Sequence, residues 1–209
     1  MTQSTAHDYY DASGKAHYAF DFAGPYPSGM FPLHAAKAGV VHMARWTQTN
    51  GDPTTPGNYL ILRDDTTTPV SYQLYLHFAQ ESIPEALRVP GARVTRGQYL
   101  GLADDTGISS GNHLHFHVHL NPDSYWGQSV DITFEEVDIN GGRPRIQDDL
   151  PYCDWSGDVC TATRNTYVSQ NYPPVDPSPP QGDITSPADE ITLSSGSLLL
   201  QGWATDNTP

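Results

Sequence analysis

The chain has 209 residues, which is enough for one well-buried domain of ordinary size with some chain left over. Apolar residues make up 37% of it and charged residues only 16%, and it holds 18 glycines, 18 prolines and 12 tyrosines, a composition that favours strands and turns. The formal charge of -14 repels phosphate backbones and anionic membrane surfaces, so we expect no nucleic-acid partner. No stretch approaches the roughly 20 apolar residues of a membrane span, so we also expect no membrane insertion.

Four segments in the first part of the chain combine aromatic or β-branched residues with flanking turn signals. Residues 16–27 alternate aromatic residues ahead of a Gly-Pro turn, which predicts a strand or an extended run. The other three segments are residues 35–46, 58–64 and 71–78. Because turn-rich clusters separate them, they are predicted to be strands of an antiparallel meander.

A short helix and three more strands are predicted beyond this meander. The helix, residues 79–87, contains Pro84, which limits it to little more than a turn unless the proline lies near the first helical position. Residues 91–122 predict two strands around a Gly-rich loop, and residues 129–139 predict a last alternating strand. The predicted fold class is therefore mainly β, with antiparallel sheets and little helix.

The remainder of the chain changes in composition. Residues 1–170 are expected to form the main domain, followed by a Pro-rich linker at residues 171–182 with extended polyproline geometry. Residues 183–209 look like the first two strands of a further β module and are too few to bury a core of their own. Cys153 and Cys160 flank a Gly-containing turn and are predicted to form a local disulfide, which would require an oxidising compartment.

The most informative segment is residues 113–120, in which every second residue is a histidine. Alternation with period two places the four histidines on one face of a strand and the apolar residues on the other. The four are His113, His115, His117 and His119. Neighbouring positions on one face lie roughly 7 Å apart, so two adjacent histidines can serve one metal centre and all four cannot. Imidazole is the commonest metal ligand, so the pattern predicts a metal site and leaves open which pair is used.

Three further features are weaker. His17 and Asp21 would face the same way on a helix, but an extended strand separates them by roughly 14 Å, so a shared site requires a bend, and a surface polar pair is the alternative. His77 ends an apolar strand, where a buried structural histidine is the more common interpretation. Residues 107–111 match the G-x-S-x-G elbow of serine hydrolases around Ser109, but the alternating strand follows where that motif requires a helix.

Taken in order, the segments HYAFD, AAKAGVV, YLH, VTRGQYLG and TGISSGNHLHFHV resemble the lysostaphin/LytM-type (M23) metallopeptidase family over about residues 16–120. The resemblance implies an antiparallel β domain of the lysostaphin-like, duplicated hybrid motif type. It also implies one Zn2+ per chain and five site residues. The implied zinc ligands are His17, Asp21 and His115, and the implied catalytic residues are His113 and His77.

The activity implied by this resemblance is that of a zinc-dependent endopeptidase, which hydrolyses the peptide cross-links of bacterial cell-wall peptidoglycan. Three protein ligands leave one tetrahedral position for water, whose pKa zinc lowers to around 7. His117 replaces a residue that is often acidic in the family, and we interpret it as a support behind the metal ligands. Residues 183–209 would begin an immunoglobulin-like module, and we expect the protein to be a monomer.

Such a substrate places the protein outside the cytoplasm, either secreted or in the periplasm or cell envelope. Met1 is followed by polar residues, so an exported form would have lost its signal or carried it outside this sequence. The main alternative is a catalytically silent protein of the same fold that binds the wall or activates a hydrolase. A serine hydrolase that uses Ser109 and a histidine-rich metal-storage module are the other two.

Overall fold

The computed structural model describes residues 15–24, 29–137 and 141–144 with their side chains, and the backbone of four short strands later in the chain. The chain divides into two units, residues 1–172 and 173–209, which we describe separately. Among the described residues, no helix has the length and apolarity needed to cross a membrane. The predicted disulfide between Cys153 and Cys160 lies outside the residues whose side chains are described.

The first unit is built from strands. In chain order they are β1 (Phe20–Phe22), β2 (Phe31–His34), β3 (Gly39–Arg45), β4 (Tyr59–Asp64), β5 (Ser71–Leu76), β6 (Arg93–Val94), β7 (Tyr99–Ala103), β8 (Leu114–His119), β9 (Trp155–Ser156) and β10 (Val159–Cys160). One antiparallel sheet has six strands in the order β1-β8-β5-β4-β3-β6, while β2 pairs with β7 and β9 with β10. In the second unit, β11 (Gln181–Ser186) pairs with β12 (Gln201–Thr205) in antiparallel fashion.

Several predicted elements are confirmed by this arrangement. The predicted meander is present, since β3, β4 and β5 are antiparallel neighbours in the six-stranded sheet. The two strands predicted within residues 91–122 are β7 and β8, and β6 is an additional short strand before them. The only regular helix in the described part of the chain is a 3-10 helix at Glu85–Leu87 that Pro84 precedes as N-cap, as the proline predicted. The fold class is mainly β, with antiparallel sheets.

Two predictions about strands are wrong. Residues 129–139 do not form a strand in their described part, although Ser129 makes one bridge to His119. β1 pairs with β8 only at residues 114–116, and beyond it the segment contacts the same edge only briefly, where the N–H of Val130 donates to the carbonyl of Val118. The segment then continues as a loop and contributes Phe134, which packs edge-on against Phe20 with ring centroids 5.1 Å apart. The alternating pattern of this segment therefore reflects which side chains are buried and does not indicate pairing with another strand.

Of the run predicted at residues 16–27, the structure describes residues 16–24, in which the strand is the three residues of β1 after a turn at residues 15–18. The sequence prediction also missed β2, because Pro32 argues against a central strand. Pro32 is exposed and β2 pairs with only one neighbour, β7, so the missing N–H leaves no ladder bond unmade.

The six-stranded sheet buries side chains on both faces. One face packs on the main core, which includes Leu60, Leu62, Tyr75 and Phe116. We call the opposite face the site face. Its apolar part is a smaller cluster of Ile61, Tyr72, Leu74 and Leu76, covered by Met43, Tyr59, Tyr125 and Trp126. The alternation along β4 and β5 between the two clusters is the period-two pattern of a strand that is buried on both sides.

Candidate active site

Strand β8, which lies between β1 and β5 in the sheet, carries three of the four predicted histidines, and His113 directly precedes it. Its partner β1 places Asp21 directly opposite His115, and its other partner β5 places Leu76 opposite the same histidine. Directly opposed residues share a face, so Asp21 and His115 lie on the site face. The predicted split of β8 is confirmed: Phe116 is part of the main core, whereas His115 is buried on the other side.

The carboxylate of Asp21 lies near two imidazole rings. Its Oδ1 lies 3.1 Å from Nδ1 of His115, and its Oδ2 lies 3.6 Å from Nε2 of His113. The Nδ1 atom of His113 lies 2.8 Å from the carbonyl oxygen of Gly111, which can only accept, so this nitrogen carries the ring proton and donates it. Nε2 of His113 is the nitrogen that faces the carboxylate of Asp21.

His77 joins this group from the end of β5. Its ring centroid lies 4.5 Å from that of His113 and 6.2 Å from that of His115. Nδ1 of His77 donates to the carbonyl oxygen of Thr106 at 2.6 Å, which leaves Nε2 as the lone-pair nitrogen. Burial, with a further contribution from His113, lowers the pKa of His77 to about 3. His77 is therefore neutral at physiological pH and acts as a hydrogen-bond acceptor through Nε2.

The backbone of His77 is held in an unusual conformation. Its φ of 71° lies in the left-handed region, which for a residue other than glycine costs on the order of 1–3 kcal/mol. The carbonyl oxygen of Asn58 accepts from the N–H groups of both His77 and Phe78, and the N–H of Asp104 donates to the carbonyl of His77 at 2.7 Å. These bonds fix the turn that directs His77 toward His113.

A buried polar network stands behind His77. Asn58 and Thr106 are both fully buried, and the Thr106 hydroxyl accepts from the N–H of Asn58 at 3.0 Å and donates to the carbonyl of Phe78 at 2.9 Å. The side chain of Asn58 adds bonds to the backbone of Gln48 and Phe78. Sequence reasoning missed these residues, because Asn58 and Thr106 stand among turn formers and read as loop residues.

Two glycines allow this network to close. Gly107 has a φ of +85°, and its backbone lies directly against that of Gly57. A Cβ atom on Gly57 would overlap the carbonyl oxygen of Thr106, the same atom that accepts from His77. The close approach of two backbones is a requirement that only glycine meets.

The site is backed by aromatic rings on the far side of His115. Trp126 stacks on His115 with ring centroids 5.3 Å apart and meets the ring of His117 edge-on at 4.8 Å. Nε2 of His115 lies 2.9 Å from Nδ1 of His117. His117 and His119 are fully buried, so they belong to the interior beneath the site and do not line it. No sequence pattern indicated that Trp126 would stack on His115.

His17 is the remaining predicted site residue, and it precedes β1 in the chain. It lies in the turn at residues 15–18, the bend that its spacing to Asp21 requires, and its ring meets Tyr18 edge-on with centroids 4.7 Å apart. Among the described residues, no three His, Cys, Asp or Glu side chains are placed so that they could hold a metal ion. In this conformation His17 does not complete a three-ligand set with Asp21 and His115.

The donors at the centre nevertheless fit zinc in kind and in spacing. Zinc binds carboxylate oxygen and imidazole nitrogen, and two ligands about 2.1 Å from a tetrahedral ion stand about 3.4 Å apart. Asp21 Oδ1 and His115 Nδ1 are separated by 3.1 Å. A ring nitrogen and a carboxylate oxygen at this distance in a buried site are the kinds of donor that would hold the ion.

Ser109 approaches the same histidine without forming a serine hydrolase site. Its Oγ lies 3.2 Å from Nδ1 of His113, but the hydroxyl donates to the carbonyl of Gly111 at 2.7 Å. Because Nδ1 of His113 carries a proton for the same carbonyl, it cannot accept the proton of Ser109. Strand β8 follows the loop, as predicted, where an elbow motif would need a helix.

Comparison with known proteins gives matches in the part of the chain that carries this site. The sequence model of Peptidase family M23 matches residues 15–130. Peptidoglycan DD-endopeptidase ShyC of Vibrio cholerae is 32% identical over 141 residues, which cover 64% of this chain and 29% of that protein. The chain therefore spans less than a third of the length of this relative.

Two solved structures are similar over about half of the chain. A zinc-containing peptidase from Vibrio cholerae shows 29% identity and a TM-score of 0.36, covering 54% of this chain and 29% of that one. The catalytic domain of the antimicrobial peptidase lysostaphin from Staphylococcus simulans shows 24% identity and a TM-score of 0.37, covering 55% of this chain and 74% of that one. TM-scores this low carry no argument about individual residues.

Proposed function

Because the chain belongs to peptidase family M23, we propose that it is a zinc-dependent endopeptidase that hydrolyses peptide cross-links of bacterial cell-wall peptidoglycan. Family membership makes it a peptidase-type hydrolase, and the name of its relative in Vibrio cholerae supports the wall substrate. The observation that carries the proposal is the convergence of Asp21, His113 and His115 on the site face, with His77 beside them.

Asp21 and His115 would hold the zinc ion, with His17 as the third protein ligand. For His17 to join the pair, the turn at residues 15–18 would have to adopt a different conformation. Zinc, when bound, supplies a Lewis acid that lowers the pKa of water to about 7 and polarises the carbonyl to be cleaved. One such ion per chain is the expected content.

His113 would act as the general base. Its Nε2 lies on the Asp21 side of the site, where it can take a proton from the attacking water and later deliver it to the leaving amine. His77 has too low a pKa to carry that proton at neutral pH, so its Nε2 would accept a hydrogen bond and orient the reacting water. The two histidines thus divide base and positioning roles.

The test is the zinc content of the purified protein, measured together with the release of free amino groups from purified peptidoglycan. Wild type is compared with His115→Ala and with the control His34→Ala, which removes a histidine that bonds to Gly97 in the β2–β7 sheet, away from the site. We expect about one zinc per chain and chelator-sensitive hydrolysis in wild type and control, and the loss of both in His115→Ala.

Other results would redirect the proposal. Zinc without hydrolysis would favour the silent wall-binding or hydrolase-activating protein, and several metal ions per chain would favour metal storage. No zinc after reconstitution would contradict the metal assignment.

A wall substrate also places the protein in a secreted or cell-envelope location. The monomeric state, the linker at residues 171–182, the immunoglobulin-like module and the disulfide remain predictions.

A further inference from the structure

A row of directly opposed residues crosses the site face, starting at the candidate zinc ligands. Asp21 lies opposite His115, His115 opposite Leu76, Leu76 opposite Tyr59, and Tyr59 opposite Arg45. Directly opposed residues of antiparallel strands point to the same face. With neighbouring strands about 4.8 Å apart, Arg45 stands about 14 Å from His115 on the same surface.

A β-bulge is the reason why Arg45 points to this face. The register between β3 and β4 shifts between Val41 and Met43, so His42 is the additional residue in β3. Val41 and Ala44 pack on the main core, whereas Met43 packs on the cluster of the site face. Without the extra residue, Arg45 would continue the alternation of Val41 and point into the core.

The surface between the two ends of the row is apolar. Leu76, Leu74 and Ile61 are buried beneath it, and aromatic rings form the layer above them. Trp126 covers the histidine end. At the other end the ring of Tyr125 stacks on that of Tyr59, with centroids 5.1 Å apart and planes 17° apart. An extended peptide that leaves the reacting carbonyl along this surface would reach Arg45 after about four residues.

Arg45 is an available cation at the end of this path. It is partly exposed, and its guanidinium makes no ion pair, hydrogen bond or ring contact with any described residue. It lies close enough to Tyr59, Tyr125 and Asp52 to act on each of them electrostatically. In a chain with 10 basic and 24 acidic residues, few cations can stand beside the candidate site, and the guanidinium of Arg45 is not held there by an ion pair or hydrogen bond to a described residue.

We infer that Arg45, flanked by Tyr59 and Tyr125, binds a carboxylate of the peptide substrate about four residues from the bond that is cleaved. The inference rests on the proposed function and adds to it a subsite and a chemical class, an acidic peptide. A planar guanidinium recognises a carboxylate through two parallel N–H···O bonds, and the stacked tyrosine rings keep water from one side of the pair.

The experiment measures binding and does not depend on turnover. The probe is a soluble cross-linked peptide prepared from purified peptidoglycan, used with its carboxylates free or converted to methylamides. Its dissociation constant is measured with His113→Ala protein and with the same protein carrying Arg45→Met. The matched control is Arg93→Met, which removes an equal charge from the strand paired with the other end of β3.

We expect Arg45→Met to weaken binding of the free-acid probe about tenfold, and the methylamide probe to bind both proteins within about twofold. Arg93→Met should leave both probes within about twofold of the parent. Equal losses in the two arginine variants, an Arg45 effect that persists with the methylamide probe, or no binding of the free-acid probe would overturn the inference. If binding depends on Arg45 while zinc-loaded wild type cleaves nothing, the proposed function fails and the carboxylate site stands.

Discussion

The same strands form both faces of the six-stranded sheet, but different constraints determine which side chains each face can hold. On the core face, Leu60, Leu62 and Phe116 pack against one another, and an apolar side chain of similar volume could replace each of them at modest cost. On the site face, Asp21 and His115 face each other through two particular atoms. The core face depends on hydrophobic pattern and volume, whereas the site face depends on strand register.

The site face is also the more costly of the two to bury. His115, His117 and His119 are 4%, 0% and 0% exposed, respectively. Buried polar groups cost free energy unless they are hydrogen-bonded, and these rings are linked to Asp21, to each other and to the backbone N–H of Asn121. Substitutions on the site face should therefore lower activity more than stability, whereas substitutions on the core face should lower stability more than activity.

The largest separation is expected between Asp21 and Phe20, which are neighbours on β1 and point to opposite faces. Asp21→Asn keeps the size of the side chain but removes the charge that pairs with His115 and His113, so hydrolysis should fall by at least about 10³-fold and zinc should be lost. Phe20→Ala opens a cavity at a fully buried position and should lower the free energy of unfolding by about 3–5 kcal/mol.

Urea unfolding and peptidoglycan hydrolysis, measured on both variants, test whether Asp21→Asn lowers mainly activity and Phe20→Ala mainly stability. Asp21→Asn should unfold within about 1 kcal/mol of the zinc-free wild type, and folded Phe20→Ala should retain zinc. A large loss of stability in Asp21→Asn without any loss of zinc would show that the carboxylate is structural and would remove the contrast between the faces.

The core face was open to prediction from sequence because its information is local. Alternation along residues 113–120 predicted a strand with one apolar side, and that side meets β5 where Phe116 lies opposite Tyr75. Pro84 likewise predicted a helix reduced to a turn. Each of these conclusions needs only the side chains within one or two turns of the chain.

The site could be predicted only in part, because its parts come from distant segments. Spacing showed four histidines on one face, and the resemblance to a family was needed to add His77 and Asp21. The support of His77 was not accessible at all: Asn58 and Thr106 reach it through backbone carbonyls, and a carbonyl has the same chemistry in every residue. No sequence pattern predicted the bulge at His42, which directs Arg45 to the site face.

A smaller effect is expected from the network behind His77. Thr106→Val keeps the shape of the side chain but removes the hydroxyl that joins Asn58 to Phe78. The carbonyl of Thr106 that accepts from His77 would then shift, and kcat should fall about 10-fold to 100-fold while KM changes by less than about threefold. Steady-state kinetics on a soluble peptide substrate measure the two parameters separately.

Thr106→Ser is the matched control for this variant, because it keeps the hydroxyl and loses only a methyl group. It should recover most of kcat even where its stability is lower. Equal kcat in the valine and serine variants, or a loss confined to KM, would mean that the network supports the fold and leaves the position of His77 unchanged.

The smallest predicted effect concerns His119, at the inner end of the histidine row. Its Nδ1 accepts from the N–H of Asn121 at 3.1 Å, and burial lowers its pKa to about 4, whereas the unfolded chain titrates near 6.5. Between these values the unfolded state binds a proton that the folded state does not. Stability contributed by neutral His119 is therefore complete above about pH 6.5 and declines as the pH falls toward 4.

His119→Gln removes this titration and leaves that of His77 in both proteins. In zinc-free protein, the free energy of unfolding of wild type minus that of the variant should fall by about 1–2 kcal/mol between pH 7 and pH 5, and should stay constant between pH 7 and pH 8. Urea unfolding at the three pH values measures this difference. A difference that does not change below pH 7 would mean that His119 accepts a proton in the folded state as it does in the unfolded state. Water would then have access to the site face at this position.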